Sequence, residues 1–147
     1  MKRKISKFFL KIGYLPLEKW NSFEIIHLSP KNNSEKNNCC KYIKSKVQNR
    51  NGLYVYKRNG KIIYVGKGKP LYNRLKNHYR SSFEEVPGDT KDKIWHRFFK
   101  KYRGKLEIYW KEQEDERVRQ IIEKALDYCL NPVFNDFKQK IKNNIKY

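Results

Sequence analysis

Residues 52–66 read GLYVYKRNGKIIYVG, and the architecture follows from this stretch. Two runs rich in aromatic and β-branched residues, Leu53–Lys57 and Ile62–Val65, flank the dipeptide Asn59-Gly60. Asn-Gly favours a two-residue turn that joins antiparallel strands, because both central residues of that turn need a positive φ. The stretch therefore predicts a β-hairpin, followed by a glycine-containing loop from Gly66 to Pro70.

The segments after the hairpin predict an α+β fold. Apolar spacing and helix-start and helix-stop signals favour helices at 71–80, 93–102 and 114–130, the last of them ended by Asn131-Pro132. Leu106, Ile108 and Trp110 alternate with polar neighbours, which is typical of a half-buried strand. We expect a small three-stranded, mainly antiparallel sheet flanked by helices, within a core at 49–136.

The two ends of the chain form separate segments in this interpretation. Residues 1–48 are a basic N-terminal extension, with enough apolar groups to dock as a short helix and with a strand as a further possibility. Residues 30–38 are so polar that they predict a loop or linker. Residues 137–147 are a basic tail, for which a helix and disorder both remain open.

The charge of the chain indicates a polyanionic partner. Lys and Arg total 35 against 15 Asp and Glu, a formal net charge of +20. Met1–Ile12, Lys57–Arg80 and Phe137–Tyr147 carry no acid, whereas acids concentrate in Glu107–Asp127. Such clustering is typical of proteins that follow a phosphate backbone, RNA-binding proteins included. A membrane partner is disfavoured, since no basic segment is paired with a long apolar helical face.

The cysteines and the hydropathy indicate a reducing compartment. The 3 cysteines suggest no disulfide framework, and their spacing suggests no zinc site. The basic, apolar start of the chain breaks at Lys11 and Gly13, so it does not predict a signal peptide. We expect a cytoplasmic, nucleoid-associated protein without a membrane segment.

Gly52-Leu53-Tyr54 and Tyr64-Val65-Gly66 resemble the two signature tripeptides of the GIY-YIG nuclease superfamily. Further positions also match the family pattern across about residues 52–135. An arginine lies ten residues after the second tyrosine, and a histidine follows four residues later. A glutamate lies twelve residues before the asparagine of a Pro-x-x-Asn sequence. A lysine follows the second tripeptide directly, as in the excision-repair branch. These positions are Lys67, Arg74, His78, Glu123 and Asn135.

The resemblance implies a metal-dependent endonuclease that hydrolyses phosphodiester bonds in DNA to 5′-phosphate and 3′-hydroxyl ends. We expect double-stranded DNA as partner, one Mg²⁺ (or Mn²⁺) per active site, and a monomer or homodimer. A compact core with modest extensions favours the restriction-enzyme branch or a free-standing phage or mobile-element endonuclease. The implied catalytic residues are Tyr54, Tyr64, Lys67, Arg74, His78, Glu123 and Asn135.

The residue types suit that chemistry. Arg74 offers a bidentate guanidinium to the scissile phosphate, and Glu123 is a hard oxygen ligand of the kind that Mg²⁺ prefers. The family implies Tyr54 as general base, aided by His78 or Lys67. A phenol has an ordinary pKa near 10, so we expect cationic neighbours to favour the phenolate. Tyr64 would hold the phosphate or water, and Asn135 would brace the site.

Other positions are assigned to DNA contact or to packing. Backbone contact is expected from the basic arm, the tail and the residues Lys57, Arg58, Lys61, Lys69, Lys76 and Arg80. Three segments could contact the bases, and the sequence does not distinguish among them: residues 32–48, residues 81–92 and the tail. Trp95, Phe98 and Phe99 are interpreted as packing residues rather than as residues that stack on bases, and His27 is interpreted as a packing or surface residue. Two alternatives remain: a catalytically silent nucleic-acid-binding module and a structure-specific junction nuclease.

Overall fold

The hairpin forms one side of a four-stranded antiparallel sheet. A computed structural model describes residues 1–84 and 90–145. The elements, in chain order, are α1 (Lys2–Ile12), β1 (Asn21–His27), α2 (Asn33–Val47), β2 (Gly52–Arg58), β3 (Lys61–Gly68), α3 (Leu71–Ser81), α4 (Thr90–Lys101), β4 (Gly104–Glu112), α5 (Glu116–Leu130) and α6 (Val133–Ile145). The sheet order is β1-β4-β2-β3.

The hairpin prediction is confirmed. β2 and β3 pair antiparallel, with Tyr54 opposite Gly66, and the turn residues Asn59 and Gly60 have φ values of 51° and 76°. The loop predicted at Gly66–Pro70 is shorter than expected, because β3 extends to Gly68 and α3 begins at Leu71.

The prediction of three strands is wrong, because β1 adds a fourth at the edge of the sheet. Phe23, Ile25 and His27 are buried at alternate positions, and β1 pairs along its whole length with β4. Exposed Ile26 interrupts the polar side of this alternation, which weakens the sequence signal for a strand. The N-terminal extension thus contributes directly to the sheet.

The polar tract at 30–38 is not a linker throughout, because α2 starts at Asn33. The Asn32 side chain caps the helix by accepting a hydrogen bond from the Glu35 backbone N–H at 2.9 Å. Only the second half of α2 buries apolar groups, Ile43 and Val47, so its first turns face solvent and are polar in sequence. The spacing from Asn32 to Glu35 is that of a capping box and could have revealed the helix start.

The helices cover both faces of the sheet. Tyr54, Tyr56 and Tyr64 point to a core shared with α2, α3 and α4, whereas Leu53, Val55 and Val65 point to a second core shared with α1 and α5. Alternation along β2 and β3 divides the hairpin between these cores. α3, α5 and α6 all contact β3, so side chains from three helices meet near one strand.

The helices predicted at 71–80, 93–102 and 114–130 are confirmed as α3, α4 and α5. Of the two alternatives for the tail, residues 137–145 are helical and complete α6. Residues 85–89, within one of the three segments considered for base readout, lie outside the described residues. Among the helices that the structure describes, none has both the length and the apolar character that a membrane span requires.

Candidate active site

Tyr54 on β2 and His78 on α3 form a buried hydrogen-bonded pair. The Tyr54 hydroxyl lies 2.6 Å from Nε2 of His78, and the two residues are 1% and 0% exposed. Burial, and less strongly the charge of Arg74, hold the pKa of His78 well below its usual value. At neutral pH the imidazole is therefore uncharged, and one of its ring nitrogens is free to accept a proton.

Tyr54 does not match the expected phenolate. Burial raises its pKa well above the usual value, and the opposing effect of Arg74 is smaller. The cationic influence thus has the expected sign, but desolvation outweighs it. In the resting protein Tyr54 is a neutral phenol in hydrogen-bond contact with His78.

Gly66 leaves the space that the Tyr54 ring occupies. These residues are cross-strand partners, and a Cβ built on Gly66 would lie 2.5 Å from the Tyr54 hydroxyl oxygen. No side chain larger than hydrogen fits without displacing the phenol. The glycine of the second tripeptide is therefore explained by the position of the tyrosine of the first.

Tyr64 on β3 lies beside this pair. Its ring stacks on Tyr54 with 6.0 Å between centroids, and its hydroxyl accepts a hydrogen bond from Trp95 Nε1 at 3.0 Å. Burial raises the pKa of Tyr64 to about 12, although the bond from Trp95 lowers it. Trp95, interpreted from sequence as a packing residue, thus also fixes the orientation of this hydroxyl. A buried tyrosine hydroxyl usually has such a partner, but the sequence alone does not identify it.

Glu123 on α5 is half-buried next to the tyrosines. Burial raises the pKa of its carboxyl, Lys67 opposes this most strongly, and Asp127 raises it further. The charge of Glu123 also raises the pKa values of Tyr54 and Tyr64, so the three groups share one electrostatic environment. A partly desolvated carboxylate beside a second carboxylate is stabilised by a nearby cation.

Asn135 on α6 is connected to this carboxylate pair. Its Nδ2 donates a hydrogen bond to Oδ2 of Asp127 at 3.1 Å. Asp127, which the sequence analysis did not select, therefore links Asn135 to Glu123. A cavity of about 280 Å³ brings the set together, and it is lined by Tyr64, Val65, Glu123, Lys124, Asp127, Phe134, Asn135 and Lys138.

Arg74 on α3 and Lys67 on β3 supply positive charge. Arg74 is exposed, and both residues line an adjacent cavity of about 160 Å³. Arg119, which lines the same cavity, is 3% exposed and donates to the carbonyl oxygens of Gln113 and Glu114, so it stabilises the start of α5. Arg74 therefore has the accessibility that contact with a phosphate requires.

The residues expected to bind the DNA backbone differ in their surroundings. Lys61 and Lys69 are exposed and line cavities. Lys57 pairs with Glu18 at 3.6 Å, and Arg80 pairs with Glu84 at 3.0 Å. The other two lie over tyrosine rings, Arg58 over Tyr102 and Lys76 over Tyr72.

The donor atoms around Glu123 are of a kind that suits a hard cation. Within the described ranges, no group of three or more His, Cys, Asp and Glu side chains is placed to hold a metal ion. The Glu123 and Asp127 carboxylates and the Asn135 amide line one cavity, and all three provide oxygen donors. Mg²⁺ retains several waters and needs few protein ligands, so this donor set suits it.

Two sets of solved structures are similar to this chain. The GIY-YIG N-terminal endonuclease domain of UvrC from Thermotoga maritima, bound to its catalytic divalent cation magnesium, is 25% identical, with 64% of this chain and 96% of that chain covered and a TM-score of 0.44. A mutant of bacteriophage T4 EndoII is 20% identical, with coverages of 57% and 72% and a TM-score of 0.41. No family model and no curated protein matches the sequence.

Proposed function

We propose that this chain is a GIY-YIG endonuclease that hydrolyses phosphodiester bonds in DNA with the help of a divalent cation. The observation that carries the proposal is the buried Tyr54–His78 hydrogen bond, which adjoins the half-buried carboxylate of Glu123 and the exposed guanidinium of Arg74. Residues separated by up to 81 positions in the chain, from Asn135 back to Tyr54, surround β3. A packing role alone requires neither the histidine partner nor the half-buried acid.

Tyr54 and His78 would act together as the general base. In the tautomer with hydrogen on Nδ1, Nε2 of His78 accepts the Tyr54 hydroxyl proton while the phenol oxygen takes a proton from the attacking water. The products are hydroxide, neutral Tyr54 and an imidazolium. A bound phosphate beside Arg74 counteracts the positive charge that lowers the pKa of His78, so DNA binding would favour this transfer.

The remaining residues would bind and orient the phosphate. Arg74 pairs with two phosphoryl oxygens, and Lys67 adds a second positive charge. Tyr64, whose hydroxyl is oriented by Trp95, donates its own hydrogen to the phosphate or to the water. Asn135 keeps Asp127 in position beside Glu123.

Glu123 would hold one Mg²⁺ or Mn²⁺ ion. Such an ion would offset the negative charge on the phosphoryl oxygens and on the leaving 3′-oxygen, which takes a proton from solvent water to give the 3′-hydroxyl while the 5′-phosphate remains. The carboxyl group is suited to this task because burial and Asp127 both disfavour its uncompensated charge.

We infer double-stranded DNA as the substrate, with a restriction-like or free-standing role near the nucleoid in the cytoplasm. The formal charge of +20 supports a polyanion as partner. A monomer would cut two strands sequentially, and a homodimer would cut them together. A catalytically silent binding module would not need the Tyr54–His78 pair, and a junction nuclease would cut branched DNA regardless of sequence.

Plasmid cleavage with Mg²⁺ or Mn²⁺ tests the proposal. Wild type should nick or linearise the plasmid, whereas Glu123→Ala and Arg74→Ala should lose about 10²–10³-fold in rate. Glu24→Ala and Arg117→Ala, which remove exposed charges on β1 and on α5, are the matched controls and should cut normally. Binding to supercoiled, linear and branched DNA without cleavage of any of them would contradict the nuclease hypothesis.

A further inference from the structure

A second basic cavity lies at the turn end of β3. Its volume is about 360 Å³, and Lys61, Lys101 and Lys140 line it together with Tyr102 and Phe137. We call this cavity the hairpin-end pocket. α6 separates it from the cavity of about 280 Å³ beside Glu123, the catalytic cavity. Asp136, Phe137 and Lys140 face the hairpin-end pocket, whereas Phe134, Asn135 and Lys138 face the catalytic cavity.

The hairpin-end pocket presents positive charge that the protein does not neutralise. In the part of the chain that the structure describes, none of its three lysines forms an ion pair. One carboxylate, that of the exposed Asp136, lines the same space and offsets part of the charge. Three ammonium groups against one carboxylate leave the pocket suited to an anion.

The aromatic rings of the hairpin-end pocket are already covered. Lys101 Nζ lies 5.6 Å from the ring centroid of Tyr102 and 5.8 Å from that of Phe137. Phe98 stacks on Tyr102 with 4.7 Å between centroids. These rings position the lysine and are not open for stacking with a base. The ligand that fits is a phosphate group and not a nucleobase.

We propose that the hairpin-end pocket binds a backbone phosphate of the DNA that flanks the cut, an inference that rests on the proposed nuclease function. Lys61 precedes Tyr64 and Lys67 on the same strand by about 10 and about 20 Å, at about 3.3 Å per residue. With a rise of about 3.4 Å per nucleotide along the DNA axis, the phosphate lies about three to six nucleotides from the scissile bond. The pocket therefore sets the direction in which DNA leaves the catalytic cavity.

The salt dependence of binding tests the hairpin-end pocket. Affinity for a long mixed-sequence duplex is measured against salt concentration in EDTA, with wild type and with Lys61→Ala/Lys140→Ala. Each phosphate contact contributes about 0.9 to the slope of log K against log salt, so the double variant, which loses the one phosphate contact of the pocket, should lose about 0.9. The control is Lys31→Ala/Lys105→Ala, which removes two exposed lysines from a cavity at the β1 edge of the sheet.

The control slope should equal that of wild type. Equal losses in both double variants would mean a general effect of net charge, and no loss in either would mean that DNA does not reach the hairpin-end pocket, so both results overturn the proposal. Plasmid cleavage is measured separately. A wild type that never cuts, but whose slope responds only to Lys61 and Lys140, would contradict the nuclease function and leave the phosphate site intact.

Discussion

The hydroxyl of Tyr54 lies 2.6 Å from Nε2 of His78, and both side chains are enclosed by the core of the protein. Burial makes both groups neutral, so a neutral phenol and a neutral imidazole are in hydrogen-bond contact in the resting protein. Tyr54 lies on β2 and His78 lies on α3. These two elements are adjacent in the fold but are separated by β3 in the chain. Its catalytic importance can be separated from its structural importance.

Tyr54→Phe should abolish most cleavage, while Tyr56→Phe should not. Removing the Tyr54 hydroxyl removes the proposed base and leaves His78 Nε2 without its partner, at a cost of about 1–3 kcal/mol in the free energy of unfolding. The cleavage rate should fall about 10²–10⁴-fold. Tyr56 is equally buried, but its hydroxyl has no hydrogen-bond partner among the described residues, so its loss should be neutral or stabilising. Equal rates in the two variants would remove Tyr54 from the mechanism.

Gly66→Ala should impair both folding and cleavage through the Tyr54 ring. The added methyl group would overlap the phenol, and overpacking of this kind costs about 1–3 kcal/mol. Gly60→Ala is the control, because that turn residue has a φ of 76° but no atom within 4 Å of the added carbon. It should cost about 1 kcal/mol and leave the cleavage rate of the folded protein unchanged. Denaturant unfolding and single-turnover cleavage distinguish the two effects.

Glu123→Gln should distinguish the contribution of Glu123 to metal binding from its contribution to the free energy of unfolding. Because burial raises the pKa of Glu123 in the folded state, its protonation favours folding. The free energy of unfolding of wild type should therefore decline relative to that of the glutamine variant as the pH rises from about 4.5, the usual carboxyl value. Adding Mg²⁺ at neutral pH should raise the Tm of wild type only. An equal rise in both proteins would place the ion elsewhere.

His27→Phe should flatten the acid side of the stability profile. His27 is fully buried, both ring nitrogens lack partners among the described residues, and burial lowers its pKa to about 3. A group with a lowered pKa contributes stability above its ordinary value of 6.5 that is lost as the pH falls toward 3. Phenylalanine removes this loss because it cannot be protonated. Unfolding followed from pH 7 to pH 3 should show a shallower decline in the variant, and parallel curves would contradict the assignment.

Local signals in the sequence predicted the hairpin and three of the helices. Asn59-Gly60 defines its turn by backbone geometry alone, and α5 has apolar spacing over several turns. β1 was not included in the predicted sheet for two reasons. Its pairing with β4 spans more than 75 residues, and its own sequence shows only a weak alternation. The strand becomes evident only when its partner is known.

The candidate site likewise contains some residues that the sequence indicated and others that only the structure reveals. The resemblance to the GIY-YIG family selected Tyr54, His78 and Glu123, and the structure places them around β3. The contribution of Trp95 depends on a hydrogen bond to a residue 31 positions away, and that of Asp127 on a hydrogen bond between α5 and α6, so no motif marks them. The neutral state of Tyr54 in the resting protein follows from desolvation, which depends on tertiary packing, whereas its charged neighbours can be named from the sequence.

The most direct measurement is the cleavage of supercoiled plasmid in Mg²⁺ by wild type, Tyr54→Phe and Tyr56→Phe at matched concentrations, with the ends of the products analysed. We expect 5′-phosphate and 3′-hydroxyl ends from wild type and Tyr56→Phe, and no products from Tyr54→Phe over the same time. Equal cleavage by all three proteins, or binding without cleavage by wild type in either Mg²⁺ or Mn²⁺, would contradict the account.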